Sequence, residues 1–199
     1  MEPLLSQNIS VIEVGAYSHI FALLLGFLDI KTLVVTDLDY AKINSNKRAI
    51  KCEYAEATTT SNASIRFFTK KEDLKELLTL SQGSMLYKYN EGDSKWQENS
   101  EGKLRLIFQK EENGYQPRSF EDAFLNENIE FILAYKDDFL GLKNRSRIEA
   151  LDKQYDKIAD ECIDSKTAFA LDILLHGGSN NEKWKIPSYI KEGLEWLAK

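Results

Sequence analysis

Apolar and polar positions change period several times along the chain, and each change marks an expected element. Residues 9–14 (ISVIEV) are apolar and rich in β-branched side chains up to Gly15, which predicts a buried first strand ending in a turn. Between residues 16 and 28, Ile20, Phe21, Leu23, Leu24, Leu25 and Phe27 form a broad helical face, with Gly26 and Asp29 marking the exit. Residues 31–36 (KTLVVT) then give a second apolar strand. Strand, helix and strand in so short a stretch predict a right-handed βαβ unit with parallel strands.

Residues 39–60 are polar with little periodicity and predict a long loop, after which Ser61 or Asn62 can cap a helix through Ile65, Phe67 and Phe68. Residues 89–102 are rich in Asn, Gly, Ser and charge and predict an exposed loop before a strand at 104–109. A turn is expected at 112–117. Ser119 with Asp122 then spells a capping box for a helix through Phe120, Ala123, Phe124 and Leu125. The C-terminal third is helical in pattern: a stripe of Ile148, Leu151, Tyr155, Ile158 and Cys162, then residues 168–175, then 189–197 after Pro187. The expected class is α/β, a parallel-sheet core with helices added toward the C-terminus.

Composition narrows the picture. With 199 residues, 43% hydrophobic and 29% charged, the chain can bury one good core and a small helical appendage. No run approaches the roughly 18 to 20 apolar residues that span a bilayer, and no signal peptide is evident, so a soluble cytoplasmic protein without membrane contact is expected. Cys52 and Cys162 lack metal-site spacing and read as free thiols. The net charge of −6 argues against a protein that grips nucleic acid alone, because Lys70 and Lys71, and Lys143, Arg145 and Arg147, sit among acids. If DNA is the substrate, another domain or subunit is expected to supply much of the grip.

Candidate chemistry begins at Asp37-Leu38-Asp39, directly after the second strand. If the chain stays extended there, both carboxylates face one side, at the strand end where parallel sheets bind ligands. A DxD after a strand is also a common helix cap or polar loop. Glu13, inside an apolar run, strengthens the functional reading, because a buried carboxylate needs a partner. Three carboxylates at adjacent strand ends would suit Mg²⁺ or Mn²⁺, which prefer oxygen ligands.

Glu13, the connecting helix and Asp37-Leu38-Asp39 together resemble the topoisomerase–primase (Toprim) fold. More broadly, residues 12–40 (IEVGAYSHIFALLLGFLDIKTLVVTDLDY), 59–68 (TTSNASIRFF), 114–124 (GYQPRSFEDAF) and 166–174 (KTAFALDIL) resemble the C-terminal nuclease region of the overcoming-lysogenization-defect (OLD) family of ATP-dependent endonucleases. The resemblance implies a Rossmann-like Toprim catalytic core over residues 1–135, and a helical extension over 136–199 that contributes Lys166. It also implies phosphodiester hydrolysis of DNA with two Mg²⁺ or Mn²⁺ ions. Glu13, Asp37 and Asp39 match the family's acidic motifs, Glu121 or Asp122 is a further ligand candidate, and Lys166 matches its lysine.

Independently, Lys166 follows Asp164 or Ser165 as an expected N-cap, where a cation calls for an anionic partner. His19 and Arg118 are candidates for phosphate contact, each with a packing or hydrogen-bonding alternative, and His176 reads as structural. Val14 between Glu13 and Gly15 departs from the usual Toprim pattern. No GxxxxGK loop followed by Ser or Thr is present, so no ATP site is expected here. The family implies an ATPase domain or subunit, a helicase partner and a role in phage defence, while the sequence leaves the oligomeric state open, a homo-oligomer included. Two other readings compete: a non-catalytic nucleic-acid or assembly module, and a haloacid-dehalogenase-like phosphatase, which Ala41 and the late position of the DxD disfavour.

Overall fold

A computed structural model describes residues 4–80 and 85–199. The chain folds as two compact units: residues up to Lys110 together with Ser188–Lys199, and Glu111–Pro187. The sequence-based boundary after residue 135 coincides with the end of a long helix inside the second unit.

The first unit is built on a four-stranded mixed sheet. Strand β1 (Thr32–Val35) pairs in parallel with β7 (Leu104–Ile107), which pairs antiparallel with β5 (Leu86–Asn90), and β5 with β6 (Lys95–Glu98). Only one neighbour pair is parallel. The segment read as an exposed loop, 89–102, therefore contains a hairpin, in which Tyr89 faces Trp96 across the strands with ring centroids 5.4 Å apart. Its polar composition belongs to the tip at 91–94 and to an edge strand, where alternating charges are tolerated. Residues 39–60, also expected as loop, hold a small sheet in which β2 (Tyr40–Ile43) pairs with β3 (Ala49–Ile50) and β4 (Thr59–Thr60). Asn44 closes its turn by accepting from the Asn46 and Arg48 N–H groups.

The expected first strand is absent. Residues 9–14 have no ladder partner among the described residues, and Val11 and Ile12 are 86% and 68% exposed. An apolar run becomes a strand only where a neighbour satisfies its backbone, and among the described residues β1 pairs with β7 alone, so residues 9–14 and β1 do not make a βαβ unit. Beyond Gly15, in the left-handed region at φ +52°, a 3₁₀ stretch (Gly15–Phe21) leads into α1 (Ala22–Leu28). Gly26 lets α1 approach β5, since a Cβ there would lie 2.6 Å from the Tyr89 ring.

Period-two alternation sends β1 and β7 side chains to two covered faces. Val34, Leu104 and Leu106 join Ile65 and Phe68 of α2 (Ala63–Thr69) and Leu74 and Leu77 of α3 (Leu74–Thr79) in one core. On the other face, Leu33 and Ile107 meet Gly193 of α8 (Ser188–Leu197), where a Cβ would collide with Ile107.

The second unit is helical. Its core joins Phe124, Leu125 and Ile132 of α4 (Phe120–Tyr135), Ile148 of α5 (Ser146–Ala150), Ile158 and Cys162 of α6 (Tyr155–Cys162), and Phe169 and Ile173 of α7 (Lys166–His176). The stripe read from Ile148 to Cys162 is thus two helices, broken where Asp152 takes φ +46°. Asn128 interrupts α4, and its side chain bonds the Phe124 carbonyl and both backbone groups of Lys185. Both cysteines are free, and no helix among the described residues is long and apolar enough to cross a membrane.

Candidate active site

The acidic loop begins where the parallel pair ends. Thr36 N–H donates to the Ile107 carbonyl at 3.1 Å, and side chains then take over from the ladder. Leu38 is fully buried between Asp37 and Asp39, each partly exposed, so the alternation expected of an extended segment survives as burial. The extended backbone does not. Asp39 has φ +47°, a left-handed conformation that short polar side chains adopt at modest cost. The loop turns there into β2 instead of running straight through both acids.

Four side chains hold the loop. Gln109, fully buried just beyond β7, accepts from Leu38 N–H at 2.6 Å and donates through Nε2 to Asp37 Oδ1 at 2.8 Å and to Tyr189 Oη at 3.1 Å. Thr60 Oγ1 donates to the Leu38 carbonyl at 2.6 Å, and Ser61 donates from N and Oγ to the Asp39 carbonyl. Asn62 Nδ2 donates to Thr36 Oγ1 and to the Asp37 carbonyl, both at 2.8 Å, while Asn62 Oδ1 caps α2 by accepting from Ser64 and Ile65 N–H.

His19 stands next to this frame: its Nδ1 lies 3.3 Å from Ser64 Oγ, its backbone N–H donates to the same hydroxyl, and its ring lies against Phe67. Glu13 is exposed on the unpaired segment. Among the described residues, no three of His, Cys, Asp and Glu gather closely enough to hold a metal ion, so Glu13, Asp37 and Asp39 do not form a preassembled trio. What the loop presents is two hard-oxygen carboxylates on a braced backbone. Mg²⁺ is commonly held by one or two protein carboxylates, with water and phosphate oxygens completing its shell, so this donor set fits such an ion.

The second unit carries the remaining candidates. Asp122 is buried at the start of α4 and is consumed by the cap: Oδ1 accepts from Ser119 N and Oγ, and Oδ2 from Arg118 N and Tyr115 Oη. Burial pushes its carboxyl above the ordinary aspartate range, opposed by the bonds from Arg118, Ser119 and Tyr115. Glu121, one position earlier, pairs instead with Lys166 Nζ at 2.8 Å. Ser165 caps α7 through the Ala168 N–H, so Lys166 does occupy the first helical position, and Glu121 is an anion beside it. Arg118 takes part in the cap through its backbone. His176 Nδ1 bonds the Asp172 carbonyl within α7 and packs on Tyr135 and Phe139.

Sequence reading found Asn62 as a cap but missed Gln109, Thr60 and Tyr189. The available signal was a glutamine closing the mainly apolar strand run 104–109.

Fold and site together describe a mixed α/β unit with a braced acidic loop at a strand end, in a chain that also carries a helical unit. No family model matches the chain, and no solved structure matches it. Among curated proteins, it is similar to endonuclease GajA of Bacillus cereus (strain HuB5-5), with 25% identity over 215 residues. The alignment covers 96% of this chain and 27% of that protein, so the chain spans about a quarter of its relative's length. This similarity is consistent with a nuclease domain.

Proposed function

We propose that the chain hydrolyses phosphodiester bonds of DNA with the help of divalent metal ions, and that Asp37 and Asp39 hold metal at the acidic loop. The observation that carries this reading is the bracing of that loop. Four neighbouring side chains bond the short segment that carries the two acids, and one of them reaches the Asp37 carboxylate, on a chain similar to an endonuclease over nearly its whole length. A bound Mg²⁺ or Mn²⁺ would supply Lewis acidity and a more acidic water. Asp37 and Asp39 would hold it, and the Gln109 and Asn62 bonds to Asp37, with the Ser61 bonds to the Asp39 carbonyl, would limit reorganisation of the loop as charge builds up on the phosphate. His19, beside the first turn of α2, is assigned to phosphate contact, and Glu13 to metal binding in the loaded state. In the second unit, Glu121 is assigned to metal and Lys166 to the neutralisation of phosphate charge. A Toprim-type two-metal arrangement, and an ATPase partner that supplies grip on DNA, complete the proposal.

The test is nicking of supercoiled plasmid by the full chain with Mg²⁺ or Mn²⁺, with EDTA and Asp37→Ala as paired controls. Nicking lost in both controls supports the reading. A wild-type protein that neither nicks DNA nor binds Mn²⁺ overturns it in favour of a non-catalytic docking module.

A further inference from the structure

Resting on the reading of Asp37 and Asp39 as metal-holding acids, we infer that Gln109 is a positioning residue that sets the orientation of the Asp37 carboxylate. Its amide cannot be turned round. Leu38 N–H can only donate, so the group 2.6 Å from it must be the carbonyl oxygen, which leaves Nε2 facing Asp37 Oδ1 and Tyr189 Oη. Each end of the amide then has a partner of the right polarity, in a place with no exposure to solvent.

The same side chain therefore grips one residue's backbone and its neighbour's carboxylate. Leu38, fully buried, anchors that backbone in the core, and Tyr189, 2% exposed on α8, anchors the amide from the other side. A carboxylate held at one oxygen by a buried donor loses rotation about its terminal torsion, so a cation meets it without first having to order it. A core glutamine with a purely structural duty would need only the Leu38 and Tyr189 bonds. The donation to Asp37 Oδ1 links it to the chemistry.

The first measurement uses the full chain without metal. In an ¹⁵N–¹H spectrum, the Gln109 side-chain amide pair is expected to move in Asp37→Asn and to stay put in Leu77→Ala, a core substitution outside this network. An amide pair that ignores Asp37→Asn overturns the proposal. The second is Mn²⁺ binding by calorimetry for wild type, Gln109→Ala, Asp37→Asn and the double variant. Gln109→Ala is expected to weaken binding on the order of tenfold, the lower end of what loss of a group supporting a metal ligand costs. In the Asp37→Asn background it should add almost nothing, because its effect passes through that carboxylate.

Tyr189→Phe, which keeps the ring and removes only the hydroxyl, guards against a Gln109→Ala protein that does not fold. It should weaken Mn²⁺ binding roughly two- to threefold. Unchanged affinity in both variants, or equal losses with and without Asp37, overturns the role of Gln109 while leaving the acidic loop as the metal site. Failure of wild type to bind Mn²⁺ overturns the metal reading itself.

Discussion

The Asn62 side-chain amide joins the N-terminus of α2 to Asp37. Its nitrogen donates to the Asp37 carbonyl at 2.8 Å while its oxygen accepts from two N–H groups of the helix, so the acid and the helix end are held as one piece. Asn62 is 1% exposed, so nothing in solvent can replace these bonds. Asn62→Ala is expected to cost about 2–3 kcal/mol, a lost cap plus unsatisfied buried groups. Asn62→Asp keeps the cap but cannot donate, and should fall between wild type and Asn62→Ala. Urea denaturation of the three proteins measures the series.

The left-handed backbone of Asp39 separates its conformation from its charge. Asp39→Gly removes the carboxylate at a position where glycine is at ease, and should leave folding stability within about 1 kcal/mol of wild type while abolishing Mn²⁺ binding. Asp39→Val is expected to destabilise by roughly 1–2 kcal/mol more than Asp39→Gly, because a β-branched residue resists positive φ. Equal stability in the two variants would show that the loop relaxes out of this conformation.

Asp122 ties stability to pH in the sense opposite to most aspartates. Its carboxyl titrates above the ordinary value of 3.8 because burial disfavours the anion. The folded state therefore binds this proton more tightly than the unfolded chain does. Its contribution is full below pH 3.8 and declines as pH rises from there to the elevated folded value. Asp122→Asn removes that titration, so the advantage of wild type over the variant should shrink with rising pH across this window. Unfolding free energies at about pH 3.5, 5 and 7 test the sign.

Lys166 and Glu121 offer a test in which stability and activity part. The Lys166 side chain is 73% exposed, and solvent screens its pairing with Glu121. Lys166→Met should therefore shift stability by less than about 1 kcal/mol. If Lys166 neutralises charge on the phosphate, the same variant should lose nicking activity on the order of 100-fold. Wild-type nicking by Lys166→Met would remove this lysine from the chemistry.

Where local signals and tertiary partners agree, the elements are legible in the chain. Strand β1, the Asn62 cap and the Ser119–Asp122 capping box follow from β-branched runs and side chains that bond their own backbone. Misreadings arise where pairing is decided at a distance. Residues 9–14 look like a buried strand because period and composition report burial propensity, yet no strand among the described residues pairs with them. Conversely, 89–102 looks like a loop because the pairing of its polar edge strand with β5 leaves no apolar run. Asp37 and Asp39, the acids of the proposed site, stand out in the sequence by their place after a strand. Their supports do not: Gln109 lies 72 positions from Asp37, and no short-range pattern records that bond.

The first unit is finished by the last residues of the chain. Helix α8 covers the Leu33 and Ile107 face of the sheet and supplies Tyr189 to Gln109, eighty positions away, with the whole helical unit encoded in between. A ribosome emits these pieces in order, so the nascent sheet must wait, one face bare, until the second unit has been made. An apolar face kept waiting in this way is a target for chaperones, and a ribosome stalled near residue 187 would display the acidic loop with Gln109 lacking its Tyr189 partner.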